Sequence, residues 1–188
     1  RALSDAHPRA AEIISKRGEQ QQQSGYFHTL QEIFQQPATW LGTCEQMVSS
    51  AGALRQYSEG IQTLVLTGSG SSEFAGDCVR PMLARELGVV GEVIGGGTLL
   101  TYGAEALPPK RPAMVVSLAR SGDSPESVGA ISRLLGSDAA VRHLVLTCNR
   151  KGRAADVFKE NPNVRVIALD DATNDRSLVM TSSFTNLV

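Results

Sequence analysis

The sequence predicts an α/β sandwich of five parallel strands in the order 2-1-3-4-5, with helices on both faces. Three observations lead there. From Ile61 onward, short apolar, β-branched runs alternate with helical patterns, as βαβ crossovers require. Those runs are continuously apolar, as strands buried on both faces should be. The composition also permits a core, since 41% of the 188 residues are hydrophobic.

The stretch to about Gly25 is polar and Gln-rich ("EQQQQSG") and reads as a frayed helix or a tail. Thr29 opens "TLQE", a capping box in which Glu32 reaches back to the helix start. Pro37 fits the first turn of a second helix, with Trp40, Leu41, Cys44, Met47 and Val48 at three- and four-residue spacing. Trp40 reads as a core or interface residue. Strand 1 lies in "IQTLVLTG". The helix "SSEFAGDCVRPMLAREL" follows, with Phe74, Ala75, Cys78, Val79, Met82 and Leu83 on one face, a kink expected at Pro81, and Gly88 as its C-cap.

"VVGEVIGG" is strand 2, "TLLTYGAEAL" a short helix and "AMVVSLA" strand 3. Ser124 suits an N-cap and Pro125 the first helical position, so a helix runs from there to about Gly136. "RHLVLTC" is strand 4, "GRAADVFKE" a helix and "VRVIALD" strand 5. The polar loop "DATNDRS" leads into "MTSSFTNLV", an apolar run without a stop signal, read as a helix cut short in a piece of a longer chain. The expected division is a helical N-terminal extension over 1–57 and the α/β unit over 58–188.

Net charge is −1 and no Lys/Arg block is long enough to track a phosphate backbone, so nucleic acid is not an expected partner. No apolar run approaches the ~20 residues that span a bilayer, and "RALSDAHPRA" has no apolar signal core, so no membrane association is expected. Cys44, Cys78 and Cys148 lack metal-ligand spacing and read as reduced, mostly buried thiols of a cytoplasmic protein. His7, His28 and His143 are too dispersed for a metal cluster, and neither metal nor cofactor is expected.

The chemistry points to two loops. In the flavodoxin-like order 2-1-3-4-5, strands 1 and 3 are neighbours whose connections leave in opposite directions, and open sheets bind ligands in that crevice. Strand 1 ends in "TGSGSSE" and strand 3 in "ARSGDSPES", the two most Ser/Gly-rich loops of the chain. Each opens a helix, so hydroxyls, free N–H groups and a helix dipole converge, which suits a small anion such as phosphate. No Lys follows Gly68 or Gly70 as a P-loop requires. Glu73 stands where a dinucleotide fingerprint needs its third Gly, and no G-x-S-x-G elbow is formed. Glu73 and Asp123 lie in first helical turns, where an acid is favoured for structural reasons.

With both loops placed, the chain resembles a sugar isomerase (SIS) domain, a flavodoxin-like module that binds phosphosugars. "GSS" (Gly70, Ser71, Ser72) matches that family's first-strand loop, and "ARSGDS" matches its third-strand loop, with Ala119 in place of the leading Ser. "LQEIFQQPATW", "SLARSGDSPESV", "LTCN" and "NDRSLVMTSSFT" resemble the branch of tagatose-6-phosphate ketose/aldose isomerases and galactosamine-6-phosphate deaminases, which carry two such modules. The resemblance implies that Ser72, Ser121 and Ser124 donate hydroxyls to the sugar phosphate. It implies that the N–H groups of Gly122 and Asp123 add to the cradle, and that Ser71 lies near the sugar or its phosphate. It further implies that Gly70 shapes the loop, that Arg120 borders the phosphate, and that Thr181 and Ser182 border the sugar.

Aldose–ketose isomerisation needs a general base and a ring-opening group. The resemblance assigns these to a second module or a neighbouring subunit, and no convincing pair is visible in this chain. The expectation is therefore a phosphosugar-binding module, inactive or nearly so alone, within a homo-oligomeric isomerase or deaminase. The other readings are a non-catalytic phosphosugar sensor and a purely structural module.

Overall fold

A computed structural model describes residues 7–188. Three helices lead in: α1 (Pro8–Ser15), α2 (Gly18–Gln23) and α3 (Phe27–Tyr57). The sheet and its crossovers follow as β1 (Thr63–Thr67), α4 (Ser71–Leu87), β2 (Val90–Val93), α5 (Gly96–Tyr102), β3 (Ala113–Ala119), α6 (Pro125–Leu135), β4 (Val141–Thr147), α7 (Arg153–Phe158) and β5 (Val164–Ala168). A last helix, α8 (Ser182–Leu187), ends the chain, and short 3₁₀ turns occupy Gly103–Ala106 and Asp171–Thr173.

The sheet is entirely parallel in the order β2-β1-β3-β4-β5, as the alternating pattern predicts. β1 and β3 are in register, Thr63 opposite Ala113 and Thr67 opposite Ser117, so their C-terminal ends sit side by side. Every residue of both strands is buried, which explains their largely apolar sequence. β2 is an edge strand and alternates between exposed and half-buried residues.

Alternation along each strand divides the core into two layers. Leu64, Leu66, Met114, Val116, Leu118 and Leu144 face α3, α4 and α8, meeting Met47, Leu54, Ala75, Val79 and Leu187. Val65, Val115 and Val141 face the other way, toward Leu99 of α5 and Leu134 of α6. Val145 meets Ile131 and Phe158 on that same side, under α6 and α7.

Four local expectations are corrected. The two lead-in helices read from Thr29 and Pro37 are one helix, α3, with Pro37 inside it. Pro37 deprives the Ile33 carbonyl of its helical partner, but Ile33 is 48% exposed, so water can serve that carbonyl. Thr29 is not the N-cap, and Glu32 turns into the protein instead of back along the helix. Pro81 lies inside α4, which continues past it to Leu87. On α4, Phe74, Met82 and Cys78 are exposed; the packed stripe is Ser72, Ala75, Gly76 and Val79. Small residues win there because helix and sheet approach closely: a Cβ on Gly76 would stand 3.1 Å from Leu66 Cβ. Of the three free cysteines only Cys148 is buried. Among the described residues no helix is long and apolar enough to cross a membrane.

Candidate functional site

The loop after β1 needs glycine twice, for different reasons. A Cβ on Gly68 would fall 2.7 Å from the Ser72 carbonyl carbon and 2.8 Å from Glu73 N, both backbone atoms. Gly70 has open space around it but adopts φ +60°, a region that penalises L side chains. Together they turn the chain sharply from the strand end into α4. Gly70 caps that helix without a side-chain bond, its carbonyl accepting from Glu73 N at 3.0 Å. The N–H groups of Ser71 and Ser72 therefore lie ahead of the helical ladder.

The loop after β3 is built by capping and bracing. Ser124 is the N-cap of α6, its Oγ accepting from Ser127 N at 3.1 Å, and the two hydroxyl oxygens lie 2.7 Å apart. Gly122 turns the loop at φ +66°. The neighbouring β4–α7 loop holds it from behind. Asn149 Nδ2 donates to the Ser121 carbonyl at 3.0 Å, Ala154 N to the Gly122 carbonyl at 2.9 Å, and Arg153 N to Asp123 Oδ1 at 2.9 Å. A side chain on Gly152 would collide with the Ser121 carbonyl.

Between the loops lies a cavity of about 190 Å³ lined by Ser69, Ser72, Arg120, Ser121, Gly122, Ser124 and Ser127. Leu118, Ala119 and Met180 complete its wall. Five hydroxyls, one guanidinium and two helix N-termini thus surround a small space. Arg120 makes no ion pair among the described residues. Its Nη1 donates instead to the carbonyls of Ser177 (3.0 Å) and Leu178 (3.4 Å). An unpaired cation among hydroxyl donors suits a small anion.

Of the residues singled out in the sequence, Ser72, Arg120, Ser121, Gly122 and Ser124 line this cavity. Gly70 and Ser71 stand at its β1 side, exposed at the start of α4. The Asp123 side chain is engaged with Arg153 N, leaving its backbone N–H on Ser121 Oγ at 3.3 Å. Thr181 and Ser182 are elsewhere. The Thr181 hydroxyl is 3.4 Å from both Glu32 Oε2 and Asp175 Oδ1, and the fully buried Ser182 donates to the Glu32 carbonyl at 2.7 Å. Their neighbour Met180 is the one that reaches the cavity, its Sδ 3.9 Å from Ser72 Oγ.

Ser69 and Ser127 were not singled out, although each stands within or just after the Ser-rich loops. Two buried carboxylates, Asp175 and Glu32, brace the segment that follows β5. Asp175 accepts from the N–H groups of Thr181 (2.8 Å), Ser182 (3.1 Å) and Ser183 (2.8 Å), capping α8. Glu32 accepts from the N–H groups of Arg176 (2.6 Å) and Ser177 (3.0 Å) and from the Ser177 hydroxyl. No local pattern marks the role of Glu32, because its partners lie more than 140 positions away.

The lining offers no carboxylate or imidazole. His143 is buried in mid-sheet between Val115 and Val164, where desolvation lowers its pKa to about 4. Burial pushes the Cys148 thiol up to about 11, which keeps it from acting as a nucleophile at neutral pH.

No family model matches the chain. A Streptomyces coelicolor protein provisionally named D-galactosamine-6-phosphate deaminase AgaS is 40% identical over 163 residues, 84% of this chain and 42% of that protein. The D-galactosamine-6-phosphate deaminase AgaS of a Shewanella strain is 31% identical over 89% of this chain and 45% of its own length. The crystal structure of tagatose-6-phosphate ketose/aldose isomerase from Escherichia coli superposes with a TM-score of 0.78 at 31% identity, covering 85% of this chain and 45% of that one. The chain therefore spans less than half the length of these relatives. They are the two groups its motifs resemble, and the chain is homologous to them over most of its residues.

Proposed function

We propose that this homologue of galactosamine-6-phosphate deaminases and tagatose-6-phosphate isomerases holds a sugar phosphate in the cavity between its β1 and β3 loops. In this reading residues 58–188 are the sugar isomerase module and the lead-in before them is its helical extension, of which residues 1–6 lie outside the described residues. The observation that carries the reading is the convergence of five Ser hydroxyls with the unpaired Arg120 guanidinium on one space of about 190 Å³, large enough for a phosphate and its ester carbon.

Each residue has a defined task. The phosphate sits at the N-termini of α4 and α6, where N–H groups point outward and the dipoles favour negative charge. Ser72, Ser121 and Ser124 donate hydroxyl protons to its oxygens; Ser124 can do so while its oxygen caps α6. Gly122 and Asp123 supply backbone N–H groups, and Arg120 neutralises the dianion. Gly70 turns the β1 loop into α4, and Ser71 lies near the sugar or its phosphate. The sugar then extends out of the cavity mouth.

Proton transfer between C1 and C2 requires a base that these lining residues lack. The full-length enzyme completes the site with groups from its other half or from a second subunit. Its substrate is galactosamine 6-phosphate or tagatose 6-phosphate. Phe34, Leu41 and Val48, exposed along α3 at seven-residue spacing, support self-association. The missing acid–base pair also favours a second reading, a module that binds phosphosugar without turning it over.

Thermal unfolding of the chain with galactosamine 6-phosphate, tagatose 6-phosphate and their unphosphorylated sugars tests this. The 6-phosphates raise the midpoint and the free sugars do not. Equal effects of both kinds of sugar, or no shift with either, would contradict it.

A further inference from the structure

Residues 176–179 lead to Met180, which lines the cavity, and two charged side chains from different elements hold Ser177 within that stretch. From α3, Glu32 takes the Ser177 N–H at 3.0 Å together with the Ser177 hydroxyl, and the Arg176 N–H at 2.6 Å. From the β3 loop, Arg120 Nη1 takes the Ser177 carbonyl at 3.0 Å and the Leu178 carbonyl at 3.4 Å. An anion thus grips the N–H side of Ser177 and a cation its C=O side. Glu32 is 5% exposed, forms no ion pair among the described residues and does not line the cavity.

We propose that Glu32 is a positioning residue for anion binding, acting through Ser177 on Arg120. The proposal rests on the phosphate reading above. Glu32 fixes the 176–178 backbone, and the Ser177 and Leu178 carbonyls in turn fix one edge of the guanidinium. Arg120 Nε and Nη2, which donate to no described residue, are thereby held for the anion. The same hold keeps Met180 against Ser72 as one wall of the cavity. A guanidinium already held in place loses less side-chain freedom on binding than one that must be ordered by the ligand.

The test is isothermal titration of the whole chain with galactosamine 6-phosphate, in a cycle of wild type, Glu32→Gln, Arg120→Met and the double variant. Glu32→Gln weakens binding by about tenfold in the Arg120 background and by less than about twofold in the Arg120→Met background, the coupling expected of residues that act in series. Amide exchange of Arg176 and Ser177 rises in both single variants. Equal weakening by Glu32→Gln in both backgrounds, or none in either, overturns the proposal and leaves the phosphate reading intact. Failure of the wild type to bind overturns the phosphate reading and this proposal with it. Should Glu32→Gln not fold, Ser177→Ala replaces it: it removes one donor to Glu32 and weakens binding about threefold only when Arg120 is present. Unchanged affinity in Ser177→Ala then overturns the proposal.

Discussion

The carboxylate of Glu32 accepts hydrogen bonds from both the N–H and the hydroxyl of Ser177, a residue 145 positions later. This contact ties the long helix α3 to the segment whose carbonyls hold Arg120. Removing the carboxylate strands the backbone N–H groups of Arg176 and Ser177 in a part-buried setting, while the Ser177 hydroxyl keeps the Val179 carbonyl at 2.9 Å. Glu32→Ala is expected to cost about 3 kcal/mol in urea unfolding, mostly the desolvation of those donors. Glu32→Gln keeps one acceptor oxygen and costs less.

The serines of the β3 loop separate binding from stability. Ser124 caps α6, whereas the Ser121 hydroxyl takes only the 3.3 Å contact from Asp123 N. Ser124→Ala should lower stability by about 1 kcal/mol and also weaken phosphosugar binding. Ser121→Ala should weaken binding with little change in stability. Paired urea unfolding and calorimetric titration read the two effects.

The two glycines of the β1 loop should respond unequally to alanine. At Gly68 the new methyl meets backbone of α4 at 2.7–2.8 Å, so helix or strand must shift, at about 3 kcal/mol. At Gly70 there is room, and the penalty is the backbone's alone: φ +60°, ψ −127° lies outside the left-handed helical region, where a Cβ is costly, at about 2 kcal/mol. A larger thermal destabilisation by Gly70→Ala than by Gly68→Ala would contradict this account of the turn.

His143 sets an acid dependence. Its folded-state pKa is lowered from 6.5 to about 4 by burial, and neither ring nitrogen has a partner. Above pH 6.5 the imidazole is neutral in both states and stability is fully present. As pH falls from 6.5 to about 4, the unfolded chain takes up a proton that the folded chain refuses. Stability then falls by at most about 3 kcal/mol. His143→Leu should flatten the unfolding free energy across that window while leaving it no lower at pH 7, as measured by chemical denaturation at stepped pH.

The sheet was legible in the sequence because parallel strands and their crossovers leave local marks. "AMVVSLA" is β3 residue for residue, and Ser124–Pro125 marks the start of α6. The cavity was legible for the same reason, since Ser72, Ser121 and Ser124 sit in loops whose neighbourhood follows from strand order. What escaped were long-range polar pairings. "TLQE" has the form of a capping box, yet Glu32 serves residues 176 and 177, because burying that face of α3 brings the later loop within its reach. Thr181 and Ser182 looked like site residues because of their position in a motif. Their N–H groups cap onto Asp175 and the Ser182 hydroxyl bonds the Glu32 carbonyl, while Met180 lines the cavity itself.

Amide chemical shifts of the isotopically labelled chain, followed during titration with galactosamine 6-phosphate, test the central claim most directly. The account predicts saturable shifts concentrated at Ser71, Ser72 and Ser121–Ser124, absent with unphosphorylated galactosamine. Shifts centred elsewhere, or no saturable change at those amides, would contradict a phosphate site between the β1 and β3 loops.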